Sequence, residues 1–144
     1  MSKILMSIKP EYVYKIFSGE KKYEYRKRIC KKKIDKIIVY SSSPIKKVVG
    51  ELKIKQVLYD KKSIIWNKTH KYGGISKTKY DEYYQNCDNA VAFEIERATL
   101  YETPKFLNDY KIKVAPQSYV YINWKYWFFN VKIFTYFKKK WIRS

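Results

Sequence analysis

The sequence predicts an α+β domain built on a small mixed β-barrel with flanking helices. Segments with strand character outnumber those with helical spacing, and most are joined by short loops. A length of 144 residues leaves room for one domain and little more. Hydrophobic residues make up 46% of the chain and aromatic residues 19%. A packed core is therefore expected despite the charge, and the composition argues against disorder of the whole chain.

The elements follow in order. Lys3 to Ile8 reads as a first strand, stopped at Lys9-Pro10. Pro10 suits the first turn of a helix and Glu11 its positive end. Tyr12, Val13, Ile16 and Phe17 follow at helical spacing, and Ser18-Gly19 ends the run. Tyr23 to Ile29 sets Tyr23 and Tyr25 against Glu24 and Arg26, the alternation of a half-exposed strand. Ile34 to Tyr40, with Ile37, Ile38 and Val39 consecutive, is a more buried strand, and Ser41-Ser42-Ser43-Pro44 a loop. Lys46 to Tyr59 is a long strand with Gly50 as its bulge or point of close approach. Ser63 to Tyr72 predicts a helix broken by Gly73-Gly74, and Ser76 caps a second helix over Lys77 to Gln85. Ala90 to Tyr101 is a strand with Val91, Phe93 and Ile95 on one face. Thr103-Pro104 opens a long irregular connection, and Gln117 to Ile122 is a closing strand.

Lys and Arg number 32 against 13 Asp and Glu, a net charge of +19. Such an excess draws in polyanions: RNA, DNA, anionic lipid or an acidic protein face. AT-rich codon usage also favours Lys, Ile and Tyr, but it does not explain local clustering. The densest basic segment runs from Lys21 to Lys36, with Glu24 and Asp35 as its only acids. It fits backbone phosphate as well as it fits a solvated hairpin. Two cysteines, Cys30 and Cys87, make neither a disulfide framework nor a four-ligand zinc site, and the single His70 excludes multi-histidine centres. No metal and no cofactor is expected. Asp81, Glu82 and Asp88 lack a calcium-loop pattern and read as surface. The opening apolar run is too short for a secretory leader, and no simple transmembrane helix is present, so a cytoplasmic location with reduced thiols is expected.

The stretch from Ser7 to Arg26 carries more information. A helix ending in Gly19 is followed by Lys21, then by Glu24 and Arg26 on the next strand. Tyr40-Ser-Ser-Ser-Pro, Val49-Gly50-Glu51, Gly74-Ile75-Ser76 and Pro116-Gln117-Ser118-Tyr119 follow in order. This ordered set resembles the ASCH-domain proteins of the PUA-like superfamily, of the archaeal and bacterial regulator type, over roughly residues 3 to 122. The resemblance implies a PUA-like (ASCH) mixed β-barrel over residues 1–122. It also implies a cleft, formed by the end of the first helix and the facing loops, that binds RNA or a nucleotide.

The residues agree with that implication in part. Lys21 follows a helix-ending Gly and projects from a turn, while Glu24 and Arg26 share one strand face. An amine, a carboxylate and a guanidinium converging on a cleft read a base edge and hold a phosphate. The alternative is a plain surface salt bridge. Tyr23 and Tyr25 are candidate stacking partners for splayed bases of single-stranded RNA, or face the core. Ser41, Ser42 and Ser43 offer hydroxyls and amides beside the cleft, or simply form a turn. Gln117 and Ser118 approach the cleft, or cap the last strand. Lys9, Lys22 and Arg28 complete the candidate nucleic-acid contacts.

The expected function is a nucleic-acid-binding module for single-stranded RNA or a modified nucleotide, with a regulatory role. An RNA-directed hydrolase, with Lys21 and Glu24 as its candidate catalytic groups, is the alternative. Some ASCH proteins are amidohydrolases acting on acetylated cytidine. Lys21 matches their lysine, but Glu24 stands where they carry a catalytic Thr, and Gly73-Gly74 where they carry an acid. Residues 123–144 contain six bases, no acid and three of the four tryptophans. They form a separate basic aromatic extension. A packed helix is the plain reading, since Trp124, Trp127, Phe128, Val131 and Phe134 fall on one helical face, and strand pairing of the same residues is open as well. A protein partner or self-association through Trp124 to Trp141 is the functional reading, with the chain as a basic inhibitor or adaptor of a larger complex. Contact with a membrane surface is the least favoured.

Overall fold

Apolar residues alternate or run together in six segments, and these build one mixed sheet. The computed structural model describes residues 2–122. In chain order the elements are β1 (Ser2–Ile8), α1 (Pro10–Phe17), β2 (Tyr23–Arg26), β3 (Ile34–Ser41), β4 (Lys47–Lys61), α2 (Lys62–Thr69), α3 (Lys77–Tyr83), β5 (Asn89–Lys105) and β6 (Tyr119–Ile122). Single 3-10 turns follow α2 at His70–Tyr72 and β5 at Leu107–Tyr110.

The strand order is β2-β5-β4-β3-β1-β6. β1 pairs parallel with β3, and the other ladders are antiparallel. α1 makes the crossover that a parallel pair requires. It begins at Pro10, after an extended Lys9, and stops at Phe17, capped by Ser18 and followed by Gly19, whose φ of +86° few side chains tolerate. Val13, Ile16 and Phe17 of α1 join Ile4, Met6, Ile37, Leu52 and Phe93 of the sheet in the main core. Each fully buried aliphatic side chain there contributes about 1.5–3 kcal/mol. Gly50 is the predicted point of close approach: an added Cβ would lie 2.5 Å from the Thr99 carbonyl and 2.6 Å from the Phe17 ring. The β4–β5 register shifts between Val48 and Gly50. A second, tyrosine-rich cluster joins α2 and α3 to Tyr25, Ala90 and Ala92.

Three expectations change. The barrel is not closed: β2 and β6 are the two ends of the sheet, and no ladder joins them among the described residues. Each is only four residues long, and β2 spends its outer side on side-chain contacts rather than on backbone pairing. β5 continues through Thr103-Pro104 to Lys105, because Lys105 still pairs with Val48 across the strongly coiled ladder. Both later helices end early: α2 stops at Thr69 and gives way to the 3-10 turn before Gly73, while α3 stops at Tyr83. Ser76 does cap α3, accepting from the Lys79 amide at 3.2 Å. The extension at 123–144, with Trp124 to Trp141, lies outside the described residues. Among the described residues no helix is long and apolar enough to cross a membrane.

Candidate functional site

The link from α1 to β2 is pinned from both sides. The Lys21 amide donates to the Lys15 carbonyl at 2.9 Å, and the Lys22 amide to the Tyr72 carbonyl at 2.7 Å. Between these anchors Lys21 turns inward. It does not project from a turn into an open cleft, as its place after Gly19 suggests; its relative exposure is 3%. Its Nζ donates to the Gly73 carbonyl and lies 4.7 Å from the Tyr25 ring centre and 5.3 Å from that of Tyr12. Gly74, at φ +65°, makes room for the stem: an added Cβ would meet Lys21 Cβ at 2.7 Å.

Glu24 and Arg26 lie opposite Phe93 and Val91 in the β2–β5 ladder, on one face. Arg26 Nη2 donates to Glu24 Oε1 at 3.1 Å and to the Ser7 carbonyl at 2.9 Å, while Nη1 donates to Ser118 Oγ at 3.3 Å. Lys21 Nζ lies 4.0 Å from Glu24 Oε2. The three groups form a buried ion-pair cluster, not a surface bridge, with side-chain exposures of 3, 7 and 12%. Glu24 Oε2 and Arg26 Nε are buried without a hydrogen-bond partner among the described residues.

Desolvation pushes the Lys21 pKa down. Glu24 opposes that shift, and Arg26 and Lys15 add to it. Desolvation also pushes the Tyr12 phenol up, with Glu11 and Glu24 adding to it. The site thus holds an ammonium that gives up its proton more readily than usual, a buried carboxylate oxygen without a hydrogen-bond donor among the described residues, and a guanidinium.

The other predicted residues fall on both sides of this cluster. Ser41 is buried at the end of β3, and Ser42 donates its amide to the Ile8 carbonyl at 2.9 Å. The serine turn and Arg26 therefore flank the same end of β1. Lys9 is exposed just beyond it, and Ser43 lies exposed in the turn. Ser118 reaches the cluster through Arg26, whereas Gln117 is exposed. Lys22 is exposed and sits over the Tyr72 ring at 4.5 Å, and Arg28 is exposed beyond the end of β2.

Tyr23 and Tyr25 are corrected as stacking partners. Tyr25 is buried, edge-on to Tyr80 at 5.2 Å, with its hydroxyl 2.7 Å from Thr69 Oγ1. Tyr23 is half-buried against the same cluster. Strand alternation puts both on the face opposite Glu24 and Arg26. Sequence reading missed Tyr12, assigned to the helix's apolar stripe, and Ser7, whose carbonyl is invisible to any motif. His70 is exposed and stacks on Trp66. Asp81, Glu82 and Asp88 are exposed, and no three potential metal ligands converge among the described residues.

Comparison with known proteins gives this geometry a context. A model of the ASCH domain matches residues 6–99. The large ribosomal subunit protein uL22 of Ureaplasma parvum serovar 3 is 35% identical over 120 residues, which cover 83% of this chain and 39% of that protein. The chain therefore spans about two fifths of that relative's length. An ASCH domain-containing ribonuclease of Zymomonas mobilis is 27% identical over 90 residues, 62% of this chain and 61% of that protein. Crystal structures of ZmASCH from Zymomonas mobilis match the fold. One point mutant has a TM-score of 0.82 at 21% identity, covering 92% of this chain and 98% of that one. A further ZmASCH structure has a TM-score of 0.78 at 22% identity, covering 86% and 90%.

Proposed function

The chain belongs to the ASCH domain family, and on that footing we propose that it binds RNA, taking one nucleotide of a single strand against Lys21, Glu24 and Arg26. The observation that carries this reading is the unpartnered pair of atoms inside an otherwise engaged cluster, Glu24 Oε2 and Arg26 Nε. A buried polar atom without a partner costs about 1–3 kcal/mol, more when charged. A ligand that donates to Glu24 and accepts from Arg26 removes that cost. The exocyclic amine and ring nitrogens of a nucleobase do both, and single strands present those edges. The net charge of +19 supplies attraction for the phosphates. Binding without turnover is compatible with a regulatory role, and a modified base with altered donors falls within the same chemistry.

Fluorescence anisotropy with single-stranded RNA, matched DNA and duplexes at two salt concentrations tests this. The wild type prefers single-stranded RNA, and Lys21→Ala weakens binding well beyond the loss of one phosphate contact. Equal binding of all polyanions, abolished by salt and indifferent to Lys21→Ala, means that the pocket is not a reader.

Cleavage is the second reading, favoured by the relative named a ribonuclease and by the depressed pKa of Lys21. In it the 2′-hydroxyl attacks phosphorus, its proton passes to Glu24 Oε2, and the P–O5′ bond breaks. Lys21 protonates the leaving oxygen and Arg26 faces the charge on phosphorus. Incubation of end-labelled RNA with wild type, Lys21→Ala and Glu24→Gln separates the readings. Cleavage products from the wild type alone support catalysis, and intact RNA bound by the wild type supports recognition. Acetylcytidine hydrolysis is not favoured, because a carbonyl, that of Gly73, lies against Lys21 Nζ where an acid would be needed.

A further inference from the structure

The sheet fails to close between β2 and β6, and the gap between them is a track. At one end stands the Lys21–Glu24–Arg26 cluster, where Arg26 reaches across to Ser118 at 3.3 Å. Further along, Arg28 of the β2–β3 loop and Tyr119 of β6 come close enough for the guanidinium to favour the phenolate. The Cys30 thiol lies near Tyr119 and Tyr121, and Lys32 lies 5.2 Å from the Tyr121 ring centre. Tyr119 and Tyr121 stand edge to face at 6.1 Å, and Tyr121 is 42% exposed.

Cys30 also lines a groove of about 760 Å³ between the β2–β3 loop and the middle of β4. Ile34, Ile54 and Val57 are among its apolar lining residues, while Lys31, Lys33 and Arg97 are among its basic ones. Further lysines of the groove are already matched. Lys36 pairs with Glu51 at 2.9 Å, Lys53 with Glu96 at 2.9 Å and Lys55 with Glu94 at 3.9 Å. Lys31 and Lys33 are exposed and make no ion pair among the described residues.

We propose that this seam and groove form a second binding segment, which holds the backbone of the single RNA strand whose base occupies the Lys21–Glu24–Arg26 pocket. The inference rests on the RNA-binding reading of that pocket and adds the course of the strand. An apolar floor accepts sugars and base faces, an exposed Tyr offers a stacking surface, and unpaired lysines on the rim meet phosphates. Charge decides against the chain's own extension as the occupant. Ile122 pairs with Lys3, and the neighbouring Ser2 amide donates to the Lys33 carbonyl, so the last described residue lies beside the groove. The sequence from there carries six bases and no acid, the same sign as the rim.

The test is a length series of single-stranded RNA, from mononucleotide to a long oligomer, on the full chain. The proteins compared are wild type, Lys31→Ala/Lys33→Ala, Tyr121→Ala and Lys21→Ala. The double variant binds the mononucleotide normally, loses about tenfold for the long RNA, and lowers the salt slope by about 1.4, at about 0.7 per single-strand phosphate contact. Tyr121→Ala also weakens only the long RNA, by several fold. A second readout is the alkylation rate of Cys30 in a Cys87→Ser background, which long RNA slows and mononucleotide does not.

If the double variant binds long RNA within twofold of wild type, the groove proposal is overturned while the Lys21→Ala result still judges the pocket. If the double variant is impaired and Lys21→Ala is not, the pocket reading fails and the groove stands as an unselective polyanion site. A Cys30 alkylated at the same rate with and without long RNA overturns the proposal. A wild type that binds no RNA overturns both.

Discussion

Removing Arg26 probes the site and the fold together. Its guanidinium holds acceptors from separate parts of the chain: Glu24 at 3.1 Å, the Ser7 carbonyl at 2.9 Å and Ser118 at 3.3 Å. In Arg26→Ala the Glu24 carboxylate stays buried, with only the Lys21 ammonium at 4.0 Å for company. Breaking a buried pair by deleting one partner costs about 3–5 kcal/mol, most of it the stranded charge. That is a large share of the roughly 5–15 kcal/mol that holds a domain folded. It corresponds to a fall in Tm on the order of 10–20 °C at this chain length. Urea denaturation followed by circular dichroism measures it. The decisive comparison adds Glu24→Gln, which removes the charge but keeps an acceptor. Arg26→Ala/Glu24→Gln is then more stable than Arg26→Ala alone, with a coupling of about 1–3 kcal/mol. An Arg26→Ala cost below about 1 kcal/mol, the value of an exposed ion pair, or a strictly additive cycle, refutes the reasoning. The cluster would then behave as the plain surface bridge that the sequence also allows.

Further predictions concern the neighbours of this pair. Gly74→Ala forces a side chain onto φ +65° and brings its Cβ to 2.7 Å from Lys21 Cβ. It costs about 1–2 kcal/mol for the backbone, with a further loss for the displaced lysine, and weakens RNA binding in the anisotropy assay. Gly19→Ala is the control: its φ is +86° but an added Cβ meets nothing within 4 Å, so stability falls and RNA binding does not. Lys21→Met keeps the stem between Gly74 and Tyr12 while removing an ammonium whose charged form folding disfavours. Its stability in urea equals or exceeds wild type at neutral pH and its RNA binding is lost. Wild type gains on it as pH rises through the lowered pKa of Lys21 towards 10.5. Burial pushes the Tyr25 phenol from 10.0 up to about 12, with the Thr69 bond opposing. The raised value means that its contribution is complete below the unfolded pKa of 10.0 and is lost as pH climbs towards 12. Phenolate absorbance from the buried tyrosines therefore appears together with loss of dichroism, and a folded protein with all phenols ionised near their ordinary value contradicts this.

Much of this arrangement is legible in the chain, for reasons that differ by residue. Pro10, Gly19, Gly50 and Ser76 mark their positions because each answers a local demand: a helix start, a positive φ, a close approach and a cap. Strand alternation puts Glu24 and Arg26 on one face without any tertiary information. It also puts Tyr23 and Tyr25 on the other, and of the two roles open to them the core one is found, because Tyr25 packs with Tyr80 on that face. Lys21 was legible as a member of the cluster but not as a buried one. Its burial depends on Gly73 and Gly74, 52 and 53 positions further along the chain, and no spacing rule spans that distance. Tyr12 was hidden for the opposite reason, since helical spacing explains it fully as a core residue. Closure of the barrel was beyond pattern reasoning, because it turns on whether two short edge strands meet along their backbones.

That missing closure has a consequence for where the site lies. An edge strand presents unpaired amides and carbonyls, and a protein must pair, cover or charge them. Here β2 is four residues long, and its Arg26 reaches the Ser7 carbonyl and Ser118 across a space that a ladder would otherwise fill. A backbone ladder there would bring β2 against β1 or β6 and displace the Arg26 side chain from the contacts it makes with Ser7 and Ser118. Spanning the gap with one guanidinium holds the two ends of the sheet in register and leaves buried hydrogen-bonding capacity unused beside it. The opening in the sheet and the chemistry of the pocket are therefore one feature. Substitutions that let β2 and β6 pair directly would stabilise the fold at the expense of the site.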